Sequence, residues 1–274
     1  MRVHHLDCCS MCPAAGPLLN DQGRMVAHCL LIETPRDGLV LVDTGIGLDD
    51  HARPGERLGR GFVAVTGLVR DPRTTAAAQV EALGHRREDV RHIVVTHLDL
   101  DHAGGLPDFP DAVVHVHTSE HRAAVVVRAL ADRPRYRPCH WAHAPKFRIY
   151  DELAGERWFG FERARPLAGL PAEIVAIPLS GHTRGHAAIA VDKGDGWLLH
   201  AGDAYFHEGV VDDTRERPRF GTIAFERAVA WDWSRVQRNH ERLRELARQH
   251  RDDVTVFSAH DPNEFARLAA SPGA

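Results

Sequence analysis

Four ligand-type side chains fall within six consecutive positions, in His97-Leu98-Asp99-Leu100-Asp101-His102. They follow directly on an apolar, β-branched run at 92–96, which reads as a buried strand. The chain must therefore deliver two imidazoles and two carboxylates to the end of a core strand, where unpaired polar groups are costly. Side chains two apart in extended chain share a side, so His97, Asp99 and Asp101 are expected to converge. His102, where the chain should turn, reaches a neighbouring position. A divalent cation taking nitrogen and oxygen ligands satisfies such a cluster. The competing reading is a solvated polar loop.

Three later places have the same character. Gly181-His182 follows the apolar run 174–179, Gly202-Asp203 follows 197–200, and Ala259-His260 follows 254–257. A small residue precedes each His or Asp, where a bulky one is expected to crowd a metal. Upstream, the run 39–43 ends in the Gly-rich turn Asp43-Thr44-Gly45-Ile46-Gly47.

Strands are expected over 3–6, 25–33, 39–43, 92–96, 112–117, 173–178, 186–192, 197–201 and 254–259. Helices are expected over 76–83, 119–131, 234–250 and 263–270. Residues 49–73, rich in Gly, Pro and Arg, read as a long loop or lid. Residues 132–170 read as an irregular insertion over one face. No internal repeat or linker divides the 274 residues. The expected organisation is one α/β domain over 1–274, with mixed sheets and insertions at about 49–73 and 132–170.

Net charge is −4, and the Arg residues are interleaved with acids, which argues against a nucleic-acid partner. No apolar stretch approaches the roughly 20 residues of a membrane span, and the N-terminus lacks the apolar core of a signal peptide. The expected setting is cytoplasmic, with a small-molecule substrate and no membrane partner; the oligomeric state is not legible. The 5 Cys include Cys8, Cys9 and Cys12, without a second pair at metal spacing. They read as reduced, inert thiols.

Taken in order, Asp43-Thr44-Gly45, the 97–102 cluster, Gly181-His182, Asp203 and His260 resemble the metallo-β-lactamase superfamily over about residues 25–262. Within it the chain is similar to acyl-homoserine-lactone lactonases and glyoxalase II-like members. The resemblance implies an αββα sandwich, two mixed β-sheets face to face with helices outside, and a two-metal site at one edge. It places His97 and His182 on a first metal and Asp101, His102 and His260 on a second, with Asp203 bridging. Asp43 falls where a carboxylate orients a metal-bound imidazole. His186 is not a ligand position and reads as structural. The implied cofactors are two divalent ions, with zinc first and iron or manganese as alternatives.

Asp99 is a departure, because the family usually carries a His there. Flavodiiron proteins carry a carboxylate at that place and bind iron. Two divalent cations against Asp99, Asp101, Asp203 and one hydroxide leave no net charge, whereas a His at 99 leaves one positive charge. Asp99 is therefore expected to ligate the first metal and to favour harder ions. Tyr205 stands one residue before the place of a Tyr in the lactonases, and is a candidate oxyanion donor or a packing residue. Phe206, His207 and the stretch 135–147 are candidates to line or cover the site.

The implied activity is hydrolysis of an ester, lactone or thioester by a metal-bridging hydroxide, with Asp101 holding the nucleophile and moving its proton. The alternative is a non-haem iron oxidoreductase, a dioxygenase or di-iron type, on the same fold.

Overall fold

Two six-stranded sheets carry the chain. The computed structural model describes residues 1–151 and 155–270. The first sheet runs in the order β1 (Arg2–Met11), β2 (Met25–Glu33), β3 (Leu39–Val42), β4 (Val90–Val94), β5 (Val113–His117) and β6 (Lys146–Tyr150). The second comprises β7 (Glu156–Trp158), β8 (Phe161–Pro166), β9 (Ile174–Pro178), β10 (Ala187–Asp192), β11 (Trp197–His200) and β12 (Val254–Phe257), in the order β12-β11-β10-β9-β8-β7. Both are mixed: β1 to β3 are antiparallel and β3 to β6 parallel, while β7 to β11 are antiparallel and β12 lies parallel to β11.

The central strands β2, β3, β9 and β10 are buried on both faces, and alternation assigns each side chain to a layer. Leu30, Ile32, Val40, Val42, Ile174, Ala176, Ile189 and Val191 pack together between the sheets. Their neighbours Cys29, Leu31, Leu39 and Leu41 belong to an outer cluster with Ala76, Ala77 and Val80 of the helix Ala76–Ala82. Val175, Ile177, Ala188 and Ala190 face outward in the second sheet, under Leu243 and Leu246 of the helix Trp233–Gln249. Sheets buried on both faces need helices on both outsides, which makes the expected four-layer αββα sandwich.

Three expectations for local structure change. Residues 49–73 are largely helical, with Leu48–Ala52, a wide turn at Gly55–Gly59 and Arg60–Thr66. The stretch 132–170 supplies β6 to the first sheet and β7 and β8 to the second, so it links the two sheets as well as covering a face. The helix expected over 119–131 ends at Arg128, whose φ of +52° breaks it. A further helix, Phe220–Val229, has no clear sequence signature because few of its side chains are buried. Among the described residues no helix is long and apolar enough to cross a membrane.

Candidate metal centre

The ends of β4, β9, β11 and β12 lie at one edge of the sandwich, and each is followed by one of the expected ligands. After β4 the chain stays extended only to Asp99, which precedes the helical turn Leu100–Ala103. This corrects the expected convergence of His97, Asp99 and Asp101. Asp101 and His102 ride on the turn and group with His260, while His97 and Asp99 group with His182. A third group joins His97, His102 and Asp203.

Asp203 lies between the two sets. Its Oδ2 is 3.8 Å from His97 Nε2 and 3.3 Å from His182 Nε2. Its Oδ1 is 3.1 Å from His102 Nε2 and 3.2 Å from His260 Nε2. Asp99 Oδ2 lies 3.0 Å from His182 Nε2 and 3.4 Å from His97 Nε2. Asp101 Oδ2 is 3.7 Å from His260 Nε2.

The outward nitrogens of three rings are committed as donors, and this aims their Nε2 lone pairs inward. His260 Nδ1 donates to the Val26 carbonyl at 2.6 Å, and His102 Nδ1 donates to Asp43 Oδ2 at 2.8 Å. The Thr96 hydroxyl donates to Asp43 Oδ2 at 2.7 Å, so its oxygen is left to accept His97 Nδ1 at 2.9 Å. Asp43 therefore orients two rings, one directly and one through Thr96. Its φ of +57° is left-handed, a conformation Asp tolerates better than most side chains.

Burial opposes the charge on Asp203, but the His260, His102 and His182 rings outweigh it and hold the carboxyl well below the usual range. Burial is likewise outweighed at Asp99, by Arg135 and His97. His102 is pushed well above its ordinary value because Asp203 and Asp43 overcome the effect of burial. The arrangement favours positive charge at its centre. His97 Nε2, Asp99 Oδ1 and Asp203 Oδ1 are buried without a hydrogen-bond partner. Inward lone pairs, orphaned carboxylate oxygens and a mixed N/O donor set fit divalent metal ions.

Supporting residues fix the loops. His186 donates Nδ1–H to the Leu179 carbonyl at 3.1 Å and accepts the Asp203 N–H at 3.0 Å, which is the structural role expected of it. A Cβ on Gly202, at φ +54°, would lie 2.6 Å from His186 Nε2 and 3.0 Å from the Thr96 Cβ. The small residue before Asp203 thus makes room for these neighbours rather than for a metal. Glu120, in sequence no more than a first-turn acid of a helix, has a larger part. It is fully buried and accepts N–H groups from both ligand loops, at Leu98 and at Gly185. An acid close behind a strand end is its one signal in the sequence.

The donor atoms form the floor of a cavity of about 680 Å³. Asp99, Asp101, His182, Asp203 and His260 open into it. Phe206 stacks on the His260 ring at 5.2 Å and 9°. Phe62, Val65 and Thr66 from the 49–73 segment form wall, as do Arg135 and Tyr136 from the 132–170 segment. His207 does not line it; its Nδ1 accepts the Gly209 N–H. The oxyanion role considered for Tyr205 is corrected. That side chain is fully buried in the second sheet's outer cluster, is no part of the cavity wall, and donates its hydroxyl to Glu264 at 2.8 Å.

A family model described as the metallo-beta-lactamase superfamily matches residues 23–246. A probable metallo-hydrolase of Mycobacterium tuberculosis is 44% identical over 97% of this chain and 82% of its own length. An N-acyl homoserine lactonase of Rhizobium johnstonii is 34% identical over 87% of this chain and 83% of its own. Among solved structures, a B. thuringiensis protein with N-decanoyl-L-homoserine at its active site superposes with a TM-score of 0.68. It covers 97% of this chain and 95% of its own at 19% identity, a likeness of fold.

Proposed function

The chain belongs to the metallo-beta-lactamase superfamily, and from that premise we propose that it is a binuclear metal-dependent hydrolase of lactones and related esters. The observation that carries this reading is the convergence of seven N/O ligand residues, five of which open on a cavity of about 680 Å³ with apolar walls. His97, Asp99 and His182 would hold one ion and Asp101, His102 and His260 the other, with Asp203 between them. When bound, such ions supply Lewis acidity and acidify water. Zinc fits the imidazole-rich set, and the carboxylates also accept iron or manganese.

The chain's own residues bind and orient. Phe206, Phe225, Met25 and Leu19 give the cavity an apolar wall that excludes bulk water from the acyl part of a substrate. Asp101 is partly exposed at the cavity floor. It takes the proton of the attacking water as the new C–O bond forms, and returns it to the oxygen that departs as the ring C–O bond breaks. The product is a hydroxy acid. Asp43 and Thr96 keep the His102 and His97 rings in their ligating tautomers throughout.

The hydrolase and lactonase relatives lend no support to the oxidoreductase alternative. The test is proton release from a panel of lactones, esters and thioesters, using protein stripped by chelator and reloaded with Zn²⁺ or Mn²⁺. Lactone opening should require metal and should be lost in Asp203→Ala. No turnover across the panel, or full turnover in Asp203→Ala, removes the reading. Oxygen uptake by iron-loaded protein would instead favour the alternative.

A further inference from the structure

Asp99 is the ligand position that departs from the family pattern, and Arg135 stands beside it. Arg135 Nε lies 3.5 Å from Asp99 Oδ1, a buried oxygen with no hydrogen-bond partner. The guanidinium is held from its other side, where Nη1 donates to the His182 carbonyl at 2.8 Å and Nη2 donates to the Val229 carbonyl. It therefore touches both residues that group with His97. The Arg135 side chain is 18% exposed and that of Asp99 12%, so water screens the pair weakly. Among the described residues no other Arg or Lys pairs with Asp99, Asp101 or Asp203.

A neutral imidazole at position 99 brings no charge, whereas a carboxylate brings one negative charge that the guanidinium cancels. We propose that Asp99 and Arg135 work as a unit, an ion pair standing where the family carries a neutral imidazole. Arg135 is a positioning residue in it. It returns the net charge of the first metal position to that of a three-imidazole site. It also stands on the Oδ1 side of the carboxylate, while Oδ2 faces His97 and His182. This reverses the expectation drawn from the ligands alone, that Asp99 leaves the core with no net charge. The charge argument rests on the metal-centre reading; the pairing does not.

The test is a double-mutant cycle on the full chain. Melting temperature is read in chelator, and Zn²⁺ affinity is read by competition with a chromophoric chelator. Removing one member of a buried pair strands the other, which costs more than removing both. Asp99→Asn and Arg135→Gln should each lower the metal-free Tm, and the double variant should melt above either. Arg135→Gln should bind its first equivalent of Zn²⁺ about tenfold more tightly, because a cation has left the side of the site. Arg135→Lys keeps the charge and should stay within about threefold of the wild type. An additive fall in Tm, or Zn²⁺ binding unchanged or weakened in Arg135→Gln, overturns the proposal. Should Arg135→Gln fail to fold alone, recovery of folding in the Asp99→Asn background supports the pair and continued failure overturns it. Wild-type protein that takes up neither Zn²⁺ nor Mn²⁺ would defeat the metal-centre reading, while the melting cycle still decides the pair.

Discussion

Glu120 accepts the backbone N–H of Gly185 at 3.0 Å, a contact between residues 65 positions apart in the chain. Its other oxygen accepts the Leu98 N–H at 3.0 Å and the Tyr136 hydroxyl at 3.0 Å. One buried carboxylate thus sets the separation between the loop of His97 and Asp99 and the loop of His182. Gly185 is required for the approach, since a Cβ there would lie 2.2 Å from the Glu120 nitrogen.

Glu120→Gln is expected to lower Tm and metal uptake together. The amide offers one acceptor oxygen where the carboxylate offers two, so its NH₂ must face an N–H or O–H donor. Leaving a buried donor unsatisfied costs about 1–3 kcal/mol. Thermal melts and metal analysis of the variant check this, and a wild-type Tm with full metal content would contradict it.

Tyr205→Phe is expected to cost stability and spare chemistry. The hydroxyl lies in the core on Glu264 rather than in the cavity. Its loss removes one buried hydrogen bond, worth about 1 kcal/mol. Turnover of any lactone substrate should stay within about threefold of the wild type, a change smaller than the tenfold that about 1.36 kcal/mol of barrier produces. A drop of about a hundredfold, twice that barrier, would restore a role for Tyr205 in the reaction.

The same pair predicts a pH dependence of stability. Burial, reinforced by Asp261, raises Glu264 from 4.5 to about 8. Between these values the folded state holds a proton that the unfolded state has released. Stability therefore falls as pH rises through that window, by up to about 1.4 kcal/mol per pH unit. Glu264→Gln should flatten the slope of Tm between about pH 5 and 8 relative to the wild type. Parallel slopes in the two proteins would show that Glu264 does not titrate this way.

Metal removal is expected to lower Tm without unfolding the chain. Ions that bind only the folded state stabilise it by about 4 kcal/mol at a thousand times Kd. The inter-sheet core of Leu30, Val42, Ile189 and their neighbours lies apart from the ligands and remains packed without them. Differential scanning calorimetry before and after chelation, with far-UV circular dichroism, checks both halves. An unchanged Tm after verified metal loss would show that the site adds nothing to stability.

The order of the candidate ligand residues along the chain and the layer architecture were legible because each is local. A β-branched run ends, a small residue follows, and a His or Asp comes next. Two-sided apolar strands such as β2 and β9 then demand cover on both faces. Asp43 was legible for the same reason, standing at the end of a run in a Gly-rich turn. Partnership between distant residues was not. The turn beginning at Leu100 re-sorts Asp101 away from His97, because dihedrals past a strand end answer to packing that no local pattern records. Tyr205, two positions after Asp203, packs into the second sheet's outer cluster because the short helical turn Gly202–Ala204 gives way to extended chain at Tyr205. Arg135 and Glu120 come from segments whose composition marks only an irregular insertion and a helix start. Arg135 meets Asp99 because the connections that follow the neighbouring strands β4 and β5 of the first sheet fold over the same edge, and Glu120 meets Gly185 because the two sheets close on one another; both contacts join residues dozens of positions apart, which no local pattern records.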